Sequence, residues 1–159
     1  MVRESKSPHS TPTFCVKKTN GKWLIVHAYN NLNAATIPAQ TPIPRKDVLQ
    51  NNMVECTMYS ALDLVDGYYQ MLMRASDIPL TAVSTPGGML WEWLVMPQGL
   101  SNAPDTFSRL ITQLFRPHRG YAQTYFDDIF VHSRATNGRS DVDNHLDHLR
   151  AVIECMRHK

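Results

Sequence analysis

The sequence predicts an α+β fold: an antiparallel sheet assembled from hairpins and packed on helices. Three observations predict it. Two turn signals, Asn20-Gly21 and the acidic pair Asp127-Asp128, each lie between β-prone runs. A meander punctuated by proline and glycine fills the middle of the chain, and two later stretches carry apolar residues at helical spacing. The 159 residues suffice for one domain with a real core, and 43% hydrophobic against 19% charged residues is a globular balance. A net charge of +2 permits a nucleic-acid partner without arguing for one. Cys15, Cys56 and Cys155 are odd in number and widely spaced, so free thiols in a reducing compartment are expected rather than a disulfide framework. The polar N-terminus and the lack of a long apolar run point to an intracellular chain without a membrane span.

In order, Met1 to Pro12 reads as an extended arm. Phe14–Thr19 and Lys22–Ala28 form a hairpin whose Asn20-Gly21 suits a two-residue turn. Lys17, Lys18 and Lys22 crowd its end, either as a solubilising edge or as a phosphate-contact patch. Pro38, Pro42 and Pro44 make Asn30–Pro44 an extended connector, and Arg45–Met53 a short helix. Thr57–Leu64 is a strand ending in Asp63. After the Val65-Asp66-Gly67 turn, Tyr68–Arg74 and Leu80–Thr85 read as extended, and Pro86-Gly87-Gly88 turns the chain into Met89–Met96. There Trp91 and Trp93 share one strand face, a core-packing pattern.

Pro97-Gln98-Gly99 interrupts the meander, and Ser101-Asn102-Ala103-Pro104 opens a helix with Phe107, Leu110, Ile111 and Leu114 on its stripe. A last helix places Val142, Leu146, Leu149, Ile153 and Met156 on its apolar side, leaving His145, His148, Cys155 and His158 for an exposed polar face; their spacing is not that of a zinc finger. Between these helices lies the hairpin Tyr121–His132, with Asp127 and Asp128 at its tip. Adjacent acids at a turn are ordinarily solvated. With Asp63 at the end of another strand, about sixty residues upstream, the three can meet at one sheet edge and suit two Mg²⁺ ions about 3.5–4 Å apart. No Walker loop, dinucleotide loop, nucleophile elbow or repeat is present.

Four ordered motifs then carry a resemblance. Lys17-Lys18-Thr19-Asn20-Gly21-Lys22-Trp23 is similar to the basic fingers hairpin of reverse transcriptases, with Leu32-Asn33 matching the end of their next strand. Ala61-Leu62-Asp63-Leu64-Val65-Asp66-Gly67-Tyr68-Tyr69-Gln70 resembles their first catalytic motif. Leu94 to Pro104 with Thr106-Phe107 resembles the nucleotide-pocket turn and palm helix, and Tyr125-Phe126-Asp127-Asp128 the Tyr-x-Asp-Asp box. The resemblance covers nearly the whole chain and is to gypsy-like long-terminal-repeat retrotransposons and retroviruses.

It implies a right-hand polymerase fold cut short at the C-terminus: a fingers-like part over residues 1–56 and an incomplete palm over 57–159. Asp63 and Asp127 would be the principal ligands of two Mg²⁺, replaceable by Mn²⁺, with Asp128 adding charge and the Leu64 carbonyl assisting one ion. Tyr68 would lie beneath the incoming sugar and exclude a 2′-hydroxyl. Asp66, Gln98, Lys17 and Lys22 would face the nucleotide. The implied partners are an RNA or DNA template with primer, deoxynucleoside triphosphates, and the thumb, connection and RNase H regions of a larger polyprotein. The implied setting is a cytoplasmic retroelement particle or the nucleus. Leu24 stands where the family usually has an arginine clamp on the triphosphate, and Ala28 and Asn30 replace a usual acid and base. Three readings follow: an RNA-directed DNA polymerase, a decayed fragment that keeps only the fold and weak nucleic-acid binding, or another two-metal palm nucleotidyltransferase, against which Tyr68 and the Tyr-x-Asp-Asp box argue. Alone, the chain is expected to hold template and primer poorly and to extend them negligibly.

Overall fold

The computed structural model describes residues 1–42 and 45–157. Pro44 and His158, which entered the connector and polar-face expectations, lie outside the described residues. The chain forms two compact units, each drawn from two separated segments: 1–39 with 66–104, and 40–65 with 105–159. Strands and helices mix in both units, as the α+β reading requires, and among the described residues no helix is long and apolar enough to cross a membrane.

The first unit contains a five-stranded sheet in the order β1-β6-β5-β2-β3, from β1 (Val2–Glu4), β2 (Thr11–Lys17), β3 (Trp23–His27), β5 (Val83–Ser84) and β6 (Leu90–Trp93). All its pairings are antiparallel except β2 with β5. The first hairpin forms as expected, but through a longer turn. Lys18 N–H donates to the Lys22 carbonyl and Gly21 N–H to the Lys18 carbonyl, and Gly21 takes φ 80°. A two-residue type I′ turn needs positive φ at both central residues. Asn20 does not adopt it, so the loop widens to three residues with glycine in the left-handed position.

Two further expectations are corrected in this unit. The proline-rich connector was expected to exclude a helix, yet α1 (Asn30–Ala35) forms, because its six residues end before the first proline at 38. Leu32 and Asn33, matched to a strand end, sit within it. The stretches 68–74 and 80–85 are not strands. They hold 3₁₀ turns at Gly67–Gln70 and Ile78–Thr81, with only Val83–Ser84 extended and a single bridge joining Leu72 to Val95. Asp66 at φ 56° and Pro79 in the first turn bend the backbone out of the β region. On β6 the tryptophans are half-buried and the residue between them, Glu92, is buried. Its carboxylate accepts from Ser5 Oγ at 2.7 Å and Arg3 Nε at 2.6 Å. The Ser5 hydrogen bond first, then Arg3, hold its pKa below the usual glutamate value. This tie fastens the N-terminal strand β1 to β6.

In the second unit, α2 (Lys46–Asn52) matches the expected short helix, and β4 (Met58–Asp63), β7 (Ala122–Tyr125) and β8 (Asp128–Ser133) form an antiparallel sheet in the order β4-β8-β7. Helix α3 (Ala103–Leu114) starts where the Ser-Asn-Ala-Pro signal placed it, and buries Phe107 and Ile111, whereas Leu110 is exposed. Ile129 and Val131 of β8, Phe115 and Val152 complete a closely packed interior.

Helix α4 (Asp141–Arg157) packs on β4 and β8 through a face rotated by about a quarter turn from the one its apolar stripe suggested, with Leu149 and Met156 half-buried. His145 is 4% exposed, while Val142, Leu146 and Ile153 are 45–49% exposed. Hydrogen bonds explain the rotation. His145 joins Ser60 Oγ at 2.8 Å and Ser133 Oγ at 2.9 Å, His148 joins Ser133 Oγ at 2.7 Å, and Asn144 donates to the Arg134 carbonyl at 2.9 Å. The His148 ring also stacks on Tyr121 with centroids 3.9 Å apart. Two serines on the sheet thus select the imidazole face: Ser60 is half-buried, and leaving the buried Ser133 hydroxyl unpaired costs about 1–3 kcal/mol.

Burial, then the neighbouring His148 and His145, lower the His132 pKa; burial also lowers that of His148, opposed in part by a hydrogen bond to His132 and by Asp147. Since the folded values lie below the free-imidazole value, the unfolded chain takes up protons first as pH falls. Stability is therefore full above about pH 6.5 and declines below it. Urea midpoints measured across that range are expected to hold steady above it and drop below it, and His148→Gln to flatten the drop. Ile129→Ala is expected to cost about 2–5 kcal/mol at any of these pH values.

Candidate active site at the acidic end of the three-stranded sheet

Asp128 is the first residue of β8, and the register sets it opposite Asp63, the last of β4, and opposite Tyr125 of β7. Leu64 N–H donates to the Asp127 carbonyl at 3.2 Å. A bond between the residues flanking a facing pair makes Asp63 and Asp128 a non-hydrogen-bonded pair, the closer antiparallel kind, with Cα atoms about 4.5 Å apart and side chains on one face. The turn itself is Phe126-Asp127, so Asp128 belongs to the strand rather than to the tip. The register therefore makes Asp128, not Asp127, the direct cross-strand neighbour of Asp63.

Phe126 stands at φ 53°, a left-handed conformation that costs an aromatic residue on the order of 1–2 kcal/mol. Its ring meets Tyr125 edge-on at 4.7 Å, and the Lys46 ammonium lies 5.4 Å from the centre of the Tyr125 ring. Asp63 and Asp127 are exposed and Asp128 is half-buried. Among the described residues no hydrogen bond or ion pair reaches their carboxylates, and no three acid, histidine or cysteine side chains already stand in metal-ligand geometry. Three carboxylates at one sheet end nevertheless offer the all-oxygen donor set that a hard divalent cation takes.

The other sequence-derived candidates belong to the first unit and occupy three separate elements. Lys17 closes β2 opposite Trp23, its ammonium 6.0 Å from the Trp23 ring centre, and Lys22 lies in the turn with its N–H bonded to Asn20 Oδ1. Leu24 faces Val16 across the hairpin. Asp66, exposed and left-handed, starts the 3₁₀ turn that carries the half-buried Tyr68, and Tyr69 stacks on Trp93 with centroids 5.3 Å apart. Gln98 is exposed beside Gly99 at φ 102°, where a Cβ would meet the His27 carbonyl at 3.4 Å. The register thus brings together Asp63, Leu64, Asp127 and Asp128.

Two asparagines escaped the sequence reading. Asn33 donates to the Gly99 carbonyl at 2.9 Å and accepts from Ser101 N–H at 2.8 Å, while Asn102 donates to the Ile37 carbonyl and accepts from Ala39 N–H. Together they pin the Pro97–Ser101 turn to the chain around α1. A strand-end reading of Leu32-Asn33 hides this reach, and three asparagines within Asn30–Asn33 give no local sign of which one bonds at a distance.

Residues 16–159 match the family described as reverse transcriptase (RNA-dependent DNA polymerase). The chain is 37% identical to the retrovirus-related Pol polyprotein from transposon opus and 35% to that from transposon 297, both of Drosophila melanogaster, over 96% of its length in each case. It is 32% identical to the enzymatic polyprotein of Soybean chlorotic mottle virus over its whole length. It spans only 15%, 14% and 23% of those proteins respectively. Among solved structures, the foamy viral protease-reverse transcriptase in complex with double-stranded DNA superposes with TM-score 0.84 at 25% identity, covering 99% of this chain and 26% of that one.

Like charges facing across a strand pair destabilise it by roughly 0.2–1 kcal/mol. Asp128→Asn is therefore expected to raise stability by that amount in buffer with a chelator, read as a higher urea midpoint at unchanged slope. A lower midpoint would mean that the acids do not repel.

Proposed function

The chain belongs to the reverse transcriptase family, and from that premise we propose that it supplies the fingers (residues 1–56) and the start of the palm (57–159) of a retroelement polymerase, adding deoxynucleotides to a primer 3′-hydroxyl on an RNA or DNA template. The observation that carries the reading is the close Asp63–Asp128 pair with Asp127 one residue away, all three without a neutralising partner among the described residues. Asp63 and Asp127 would hold Mg²⁺, Asp128 would add charge, and the Leu64 carbonyl would complete one coordination shell. When bound, such ions lower the pKa of an attacking hydroxyl and offset charge on the leaving oxygens.

This chain's own residues do the rest. The β4–β8 register fixes where the carboxylates start, so little rearrangement is needed on loading. In the first unit, Tyr68 would lie beneath the sugar and exclude a 2′-hydroxyl, Asp66 and Gln98 would contact the nucleotide, and Lys17 and Lys22 would meet the triphosphate charge. Asn33 and Asn102 would act through Gln98 by holding its turn. Leu24 offers no guanidinium, so the triphosphate is gripped by point charges alone. A place inside a larger polyprotein, in a cytoplasmic particle or the nucleus, fits relatives several times longer than this chain.

The test is single-nucleotide addition on poly(rA)/oligo(dT), with the chain in excess so that weak holding of the duplex does not limit the signal. Incorporation is expected to require Mg²⁺ or Mn²⁺ and to fall to background in Asp127→Asn. Leu24→Arg is expected to raise kcat/KM about tenfold to a hundredfold, the equivalent of one charge-assisted hydrogen bond of about 1.5–3 kcal/mol. Incorporation that survives Asp127→Asn would remove the acids from the chemistry.

A further inference from the structure

The second unit contains eight arginines within residues 40–65 and 105–159, and seven of them fall into two sets by their partners. Arg45, Arg134, Arg139 and Arg150 each pair with a carboxylate at 2.7–3.0 Å. Arg109, Arg116 and Arg119 are exposed, have no acid partner among the described residues, and line one open groove of about 580 Å³. Thr41, Thr112 and Gln113 add donors to its wall, and among the described residues no acid and no aromatic side chain lines it.

We propose that this groove binds the phosphodiester backbone of a single nucleic-acid strand, at a place distinct from the acidic end of the sheet. Three observations on the groove support that ligand class. First, guanidinium groups without carboxylates match phosphate, which they grip through paired N–H donors. Second, Arg109 and Gln113 lie one turn apart on α3 and Arg116 follows just beyond its end, and the seven steps from Arg109 to Arg116 span about 10 Å at helical rise, more than one phosphate fills and suited to successive phosphates of a strand. Third, among the described residues the groove carries no ring on which a base could stack, so recognition is of backbone and independent of sequence.

The groove is fixed in place rather than a chance cluster of mobile side chains. Arg116 lies in the 3₁₀ turn Arg116–His118, His118 Nδ1 meets the Tyr121 hydroxyl at 2.6 Å, and the Arg119 carbonyl accepts from Gln123 Nε2 at 2.7 Å. Arg119 precedes β7 and the Phe126-Asp127 turn follows it. The four residues of that strand therefore separate this end from the acids by about 13 Å. A strand held here is positioned by contacts that do not involve the reacting groups.

The experiment measures binding of the full 159-residue chain to fluorescent 20-residue oligo(dT) and oligo(dA) across a salt series, for the wild type and for Arg109→Gln/Arg116→Gln/Arg119→Gln. The three positions are exposed, and thermal unfolding checks that the variant folds. The variant is expected to bind both strands at least about tenfold more weakly at low salt, with the slope of log K against log salt reduced by about 2, near 0.7 per lost phosphate contact. An unchanged slope overturns the proposal. So does a loss confined to one base composition, and so does displacement of the strand from the wild type by tripolyphosphate at equal phosphate concentration, which would make this a site for small anions. Nucleotide addition is not part of the readout, so failure of the polymerase reading would leave this result standing.

Discussion

The organising constraint of the second unit is the close facing of Asp63 and Asp128 across β4 and β8. Two carboxylates on neighbouring strands repel, and nothing among the described residues relieves them. The register could slip by one residue only by moving every core side chain of β8 to the other face, including Ile129 and Val131, which are almost wholly buried. The hydrophobic interior thus sets the register, and the register sets the acids. A repulsive pair maintained by packing is what a cation-binding position requires, because its charge stays available for a ligand.

The same sheet explains the unusual docking of α4. Met58 to Ser133 pairing runs the length of β4 and β8, so Ser60 and Ser133 point at the helix together. Apolar side chains placed there would leave the buried Ser133 hydroxyl and the half-buried Ser60 hydroxyl without partners, whereas imidazoles satisfy both. The energetic preference is local and polar, and it exposes Val142, Leu146 and Ile153 as a consequence. Amphipathic spacing identified the helix correctly and its buried side wrongly, since the rule assumes an apolar surface to pack on.

Much of the rest was legible in the sequence for a stated reason. Helix α3, α2, β4 and the acidic hairpin follow from proline, capping and alternation signals whose physics is confined to a few neighbouring residues. The failures lie where partners distant in sequence decide. Asn33 bonds to Gly99 and Ser101, and Glu92 is buried because Arg3 and Ser5 arrive on β1; neither could be inferred from a local window. The 3₁₀ turns at 67–70 and 78–81 were missed because aromatic and β-branched residues suggest strands, while one left-handed aspartate and one proline redirect the backbone. For the candidate site, the acids could be named from the sequence, but not which one faces Asp63, since that depends on whether the tip is Phe126-Asp127 or Asp127-Asp128.

Charge in the second unit is arranged against the simplest route to stability. Exposed guanidinium and carboxylate groups could pair, as Arg134 with Glu55 and Arg139 with Asp147 do. Instead Arg119, the nearest of the unpaired arginines to β7 along the chain, precedes that strand and the acidic turn follows it, with about 13 Å of strand between them, beyond a Debye length of about 8 Å at physiological salt. At that distance neither set screens the other appreciably. Surface ion pairs contribute only about 0–1 kcal/mol, so leaving both sets open costs the fold little. For binding, the separation matters far more: one end keeps its full attraction for cations and the other its attraction for phosphates, and a single short strand keeps the two chemistries apart.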